Sequence, residues 1–293
     1  MATLRDIKRK IDAVKKTSQI TKAMNMVAAA KLRGAQQNME RFHPYALKFK
    51  EFIGRLAAGV EDASQYSLLT PKEQVKKVEL LLVTADRGLC GSFNTNLIVA
   101  AERFIRAKNA EGVQVTLTTA GRKGNEYFRR RKVDIRQRYF GLLNKVSFDD
   151  ARKIGSELIE QFEMDAADEV YVIYSHFINI AKQRATMFRL LPITPDASGS
   201  PEGKDGHFEY LFEPSHQALL QDLLPNYIHV QVLETLYQTS VGEHAARMAA
   251  MENATSNCKE LVRSLTLIYN KARQAGITKE LMDIVGGAEA LRK

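Results

Sequence analysis

The segment TADRGLCGSFN at 84–94 lies between an apolar run and a helical pattern, the place where nucleotide-binding folds put a phosphate loop. Phosphate binding there needs closely spaced glycines, so that backbone amides can approach the anion, or a lysine followed by a hydroxyl residue. Gly88 and Gly91 do not make G-x-G-x-x-G, and no lysine and hydroxyl pair follows. The segment therefore reads as a tight turn into a helix, with glycines supplying unusual dihedrals. AGRKG at 120–124 fares no better. The histidines, at 43, 176, 207, 216, 229 and 244, have no metal-ligand spacing and no evident cysteine partners. Cys90 and Cys258 stand far apart, without a disulfide or zinc-ribbon pattern, and fit a reducing compartment. There is no G-x-S-x-G elbow, and Asp149 and Asp150 sit where a helix start welcomes negative charge. The expectation is a chain with no catalytic residue, no cofactor, no metal and no direct nucleotide binding.

The formal net charge is +9, which favours an acidic partner: nucleic acid, an anionic membrane surface or an acidic protein face. FRRRK at 128–132 and the cations Arg5, Lys8, Arg9, Lys10, Lys15 and Lys16 are candidates for phosphate contacts. The early cations alternate with apolar residues, however, as the exposed flanks of a coiled coil do. The first residues lack a secretory core, and no segment approaches the roughly 20 apolar residues of a membrane helix, so membrane association is expected to be peripheral.

The elements that would position these residues fall into three blocks. Thr3 followed by Asp6 is an acidic variant of the capping box. Leu4, Ile7, Ile11, Val14, Ala28, Leu32, Ala35, Met39, Phe42, Phe49, Ile53 and Leu56 then share the alternating three-and-four spacing of a coiled-coil seam. Ser18, Thr21 and Asn25 interrupt that seam, while Ile20, Met24 and Val27 carry apolar character to a neighbouring stripe, so residues 18–31 have more than one face to bury. Pro44 is expected to kink the helix. A helix over residues 3–58 would be roughly 80 Å long and needs a partner along its length. Val230, Leu233, Tyr237, Val241, Ala245, Met248, Met251, Cys258, Val262, Leu265, Tyr269 and Ala272 repeat the spacing and supply it.

Between the two, VELLLVTA (78–85), VQVTLTTAG (113–121), EVYVIYSHF (169–177) and RATMFRLLPI (184–193) read as strands, and 94–108 and 147–164 as helices. The fold class is thus α/β, a mostly parallel sheet covered by helices, inserted between two long terminal helices that pair as an antiparallel coiled coil. The boundaries are 1–60 for the N-terminal coiled-coil helix, 75–194 for a Rossmann-like domain, 195–208 for a mobile loop rich in turn formers, and 209–293 for the C-terminal helix.

SQITKAMNMVAAAKL (18–32), TADRGLCGSFN (84–94), EHAARMAAMENATSN (243–257), LTLIYNKARQAGIT (265–278) and ITKELMDIVGGAEA (277–290) together closely resemble the F-type ATP synthase gamma subunits. The last is the most specific, through Ile277, Thr278, Glu280, Asp283, Gly287, Ala288 and Ala290. The resemblance runs end to end and is weakest over 125–165 and 195–207. It implies a coiled coil penetrating a ring of three alpha and three beta subunits, and an α/β domain that meets an epsilon-type subunit and the membrane c-ring. It implies a non-catalytic rotor that couples proton flow to ATP synthesis or hydrolysis at the beta subunits. By the same resemblance Met24, Arg273 and Gln274 are expected to touch a beta subunit, and Tyr210 and Glu213 the rotor ring. Without a transit peptide, the expected location is the cytoplasmic face of a bacterial cell membrane. A nucleic-acid-binding coiled coil and a nucleotide-dependent enzyme are the competing classes, and neither accounts for the terminal motifs.

Overall fold

The computed structural model describes residues 3–58, 65–194 and 216–290. It contains two compact units, Met1–Ala28 with Arg247–Lys293, and Ala29–Ala246. In chain order the main elements are α1 (Leu4–Ala58), β1 (Lys77–Val83), α2 (Phe93–Ala110), β2 (Gln114–Ala120), α3 (Arg122–Arg130), β3 (Ile135–Tyr139), α4 (Phe148–Glu163), β4 (Glu169–Asn179), β5 (Lys182–Leu191) and α5 (His216–Ala290). The sheet order is β3-β2-β1-β4-β5, parallel throughout except for the antiparallel β4–β5 pair.

α1 starts as its first residues dictate. Thr3 donates its hydroxyl to Asp6 Oδ2 at 2.7 Å, and the Asp6 amide donates back to Thr3 Oγ1 at 3.3 Å. These bonds favour the ionised carboxyl and hold its pKa below the usual value. Pro44 does not end the helix, which continues to Ala58. Proline removes one backbone donor; the turns beyond it are held by packing, with Ala46, Ile53 and Leu56 almost wholly buried.

In the larger unit the alternation of β1 assigns its two faces. Leu81 and Val83 join Ile154, Leu158 and Phe162 of α4, Ile53 and Leu56 of α1, and Leu224, Ile228 and Leu233 of α5. Leu80 and Leu82 join Leu97, Ala101 and Phe104 of α2 and Phe128 of α3. Both faces are covered, which is why the strands read as continuous apolar runs. On the α4 side one position is a carboxylate: Glu79, 2% exposed, accepts from Arg136 Nε at 2.9 Å and from Thr118 Oγ1 at 2.5 Å. Burying a charge is tolerated when it is paired and hydrogen-bonded. β3, which supplies Arg136, has the sequence IRQRY and lacks an apolar run, so neither it nor α3 is visible in the sequence pattern.

α5 packs closely on α4 because Gly155 has no side chain. A Cβ there would lie 2.5 Å from His229 Cδ2. His229 meets Ser156 Oγ through Nε2 at 3.1 Å, with Phe148 edge-on. Burial, and then the nearby Arg152 charge, hold the imidazole pKa below its ordinary 6.5.

Two outcomes follow from this contact. Gly155→Ala should lose about 1–3 kcal/mol by overpacking, whereas Gly34→Ala in α1, where nothing lies within 4 Å of the added Cβ, should gain up to about 1 kcal/mol; urea unfolding of the two variants checks the contrast. Because the folded state resists protonation of His229, stability falls as pH drops below about 6.5, where the unfolded chain takes up the proton. His229→Gln should therefore lose less Tm than the parent between about pH 7.5 and about pH 5.5.

Candidate functional site

The smaller unit is a two-helix structure. Ile7, Ile11 and Leu265 are its buried centre, flanked by Val14, Val262, Tyr269 and Ala272. Thr21 Oγ1 meets Thr255 Oγ1 at 2.7 Å, and Asn25 Nδ2 donates to the Met248 carbonyl at 2.9 Å. Later residues of α1 meet earlier residues of α5, so the pairing is antiparallel. Within the larger unit the same sense recurs, where Phe42 packs on Tyr237, His43 pairs with Glu234 at 2.8 Å, and Phe49 packs near Tyr227. Thr21 and Asn25, which break the apolar seam in sequence, still reach the partner helix; a polar group at such a position specifies register.

Of the neighbouring stripe, Ile20 and Val27 are left outside, 60% and 59% exposed, as is Met26 beside them at 59%. Ala28 is buried, as a seam residue should be. Met24 is half-buried, at the edge between seam and surface. Arg273 and Gln274 lie immediately after Ala272 and are exposed. Every residue from 277 to 288 is exposed, among them Ile277, Leu281, Met282, Ile284 and Val285. The 277, 281, 284 and 285 spacing is that of one helix face, a signal present in the sequence but hidden there behind the Gly-Ala motif. Tyr210 and Glu213, like the loop expected at 195–208, lie outside the described residues.

Arg273 offers a planar fork of donors suited to a carboxylate, methionines adapt their packing, and a contiguous exposed apolar face marks an interaction site. Among the described residues no group of three or more His, Cys, Asp or Glu is placed to hold a metal ion.

The turn at 84–94 sits at the carboxyl ends of the parallel strands, where ligands enter such sheets. There a carboxylate of the chain itself takes the amides: Asp86 Oδ1 accepts from the Arg122 amide at 3.0 Å, and Oδ2 from the Gly141 amide at 2.8 Å. The Arg122 amide opens α3, so Asp86 stands where an anion at a helix N-terminus would. Gly121 beside it is obligatory, with φ +119° and a Cβ position 2.0 Å from the Thr84 carbonyl oxygen. Asn94 Oδ1 accepts from the Ala85 amide at 2.9 Å, closing the turn onto α2.

Against known proteins, the ATP synthase family model matches residues 3–291. The ATP synthase gamma chain of Syntrophobacter fumaroxidans is 75% identical over the whole length of both chains, and that of Maridesulfovibrio salexigens 48%. The chain belongs to the ATP synthase gamma family. Among solved structures it is similar to a chain of the Tetrahymena thermophila mitochondrial ATP synthase central stalk and c-ring, with TM-score 0.59 and 26% identity over 80% of this chain and 99% of that one. A chain of the Euglena gracilis mitochondrial enzyme, at 22% identity and TM-score 0.68 over 98% and 94%, shares the fold. As a gamma-family member the chain is a non-catalytic, central-stalk rotor subunit of an F-type ATP synthase.

Asp86→Ala strips acceptors from two amides. It should cost about 1–3 kcal/mol, read by urea unfolding, with amide exchange accelerated at Arg122 and Gly141 while α5 is unaffected.

Proposed function

We propose that the two-helix unit turns as an axle inside a ring of three alpha and three beta subunits, while the α/β unit contacts an epsilon-type subunit and the membrane c-ring. The observation that carries this reading is the exposed apolar face at the end of α5, formed by Ile277, Leu281, Ile284 and Val285, which the chain leaves for another surface to cover. It supports a helix end housed in a sleeve, because burying such side chains stabilises an assembly and does nothing for the isolated chain. Among the described residues no helix is long and apolar enough to cross a membrane. We place the chain peripherally, on the cytoplasmic face of a bacterial membrane. The four-part division at 1–60, 75–194, 195–208 and 209–293 is the organisation proposed for these roles.

The mechanism needs an asymmetric axle in a threefold sleeve. The helix pair leaves apolar Ile20 and Val27 exposed on α1 and the polar pair Arg273 and Gln274 exposed on α5. As the axle turns, each beta subunit meets a different face, so chemically identical sites hold nucleotide with unequal affinity. Proton-driven rotation at the c-ring then becomes release of ATP, and hydrolysis runs the same cycle backward. In this scheme Arg273 and Gln274 grip a beta-subunit loop through carboxylate and carbonyl oxygens, and Met24 slides against the sleeve. Tyr210 and Glu213 face the c-ring.

Ile284→Asp should leave the Tm of the isolated chain within a degree or so, since the side chain is exposed, yet weaken its recovery with alpha and beta subunits; equal recovery removes the sleeve. Arg273→Lys keeps the charge and loses the fork, and should lower the ATPase rate of the reconstituted complex several-fold more than Lys145→Ala at an exposed site elsewhere. A photocrosslinker at position 210 should capture the ring subunit.

A further inference from the structure

β4 is longer than the strand beside it. β1 pairs with β4 only from Val78 with Glu169 to Leu82 with Ile173, whereas β5 accompanies β4 as far as Asn179. Past Ile173, the edge of β4 that faced β1 has lost its strand. Two amides on that stretch donate instead to side chains of α5: Ser175 to Thr239 Oγ1 at 3.3 Å, and Phe177 to Gln238 Oε1 at 3.0 Å. The adjacent Ser240 Oγ donates to the Leu143 carbonyl, in the connection after β3, at 2.9 Å. Gln238 is itself held by donating to Glu234 Oε1 at 2.9 Å. Gly242, one turn on, lets α5 lie against β4: a Cβ there would be 2.8 Å from Ser175 Oγ and 3.2 Å from Phe93 Cε2.

This stretch is unlike an ordinary buried helix. Gln238, Thr239 and Ser240 are each no more than 4% exposed, as is Ser175 opposite them. A helix that had only to be buried would use apolar side chains, whose attraction is non-directional and lets packed elements rotate past one another. Hydrogen bonds to backbone groups of a sheet have a narrow range of angle and distance, so they resist rotation of the helix about its own axis. Leaving a buried amide without its acceptor is costly, which makes the joint all-or-none.

We infer that Gln238, Thr239, Ser240 and Gly242 form a torque key that locks α5 against rotation relative to the sheet, making these residues positioning residues for coupled rotation. The inference rests on the axle reading above and adds where within the chain the twisting force enters the helix. Arg273, Gln274 and the exposed end of α5 take no part in it.

The test uses the assembled complex in membrane vesicles with Thr239→Val, the Gln238→Leu/Thr239→Val pair, and Thr239→Ser. Thr239→Val keeps the shape and removes the acceptor, so it is the variant least at risk in folding; Thr239→Ser keeps the acceptor. Two quantities are read: ATP hydrolysis, and proton uptake driven by that hydrolysis. Both loss variants should assemble and hydrolyse ATP at close to the parental rate while proton uptake per ATP falls several-fold, with Thr239→Ser restoring the ratio. Amide exchange at Ser175 and Phe177 should accelerate in the isolated Thr239→Val chain. An unchanged uptake-to-hydrolysis ratio despite accelerated exchange overturns the key, and so does a loss that Thr239→Ser shares. Failure of the parental chain to assemble with alpha and beta subunits would instead overturn the axle reading.

Discussion

Mutual burial of the apolar stripes on α1 and α5 is the constraint that everything else answers to. A helix of 55 residues and one of 75 cannot each hide an apolar face inside a chain of 293 residues by folding alone. Long isolated helices in water depend on tertiary packing for most of their stability. In the smaller unit, Ile7 and Ile11 against Leu265 provide it; in the larger, the aromatic contacts of Phe42 and Phe49 with Tyr237 and Tyr227 do so beside the sheet. Where pairing ends, at Ala272, exposure begins at once, and beyond it Ile277, Leu281, Ile284 and Val285 line an apolar face left in the open.

Polar groups placed inside that pairing have a different task from the apolar ones. Asn25 donating to the Met248 carbonyl, and Thr21 meeting Thr255, define one register where an all-apolar seam would tolerate several. The same logic appears at Thr239 and Gln238, whose oxygens finish the hydrogen bonding of β4 where its neighbouring strand stops. Apolar burial supplies cohesion and buried polar contacts supply a definite angle, which is what a mechanical element requires.

The α/β unit retains the layout of a nucleotide-binding sheet but fills its charged positions from within. Asp86 takes the amides at the mouth of the sheet, and Glu79 with Arg136 neutralises a carboxylate beneath α4. Tyr139, buried and hydrogen-bonded to Glu157, has its phenol pKa pushed up, first by burial and then by that carboxylate. At the mouth of the sheet the position of an anion at a helix N-terminus is thus held by the chain's own carboxylate.

Sequence spacing alone determined the paired terminal helices, the inserted parallel sheet and the seam membership of Ile7, Ile11, Ala28, Leu32 and Leu265, because periodic burial writes itself into periodic composition. It also located the strand cores, with ends displaced by only a few residues. It did not reveal β3 or α3: β3 is set by its pairing with β2, and Arg136 on it by the Glu79 carboxylate, contacts between residues far apart in the chain. Nor did it show that Asp86 holds the Arg122 and Gly141 amides, or that Gly155 and Gly242 exist for His229 and Ser175. Local pattern carries only what each residue needs from its own element, whereas a buried charge, a close approach or a borrowed acceptor is decided by whichever distant segment the fold brings opposite.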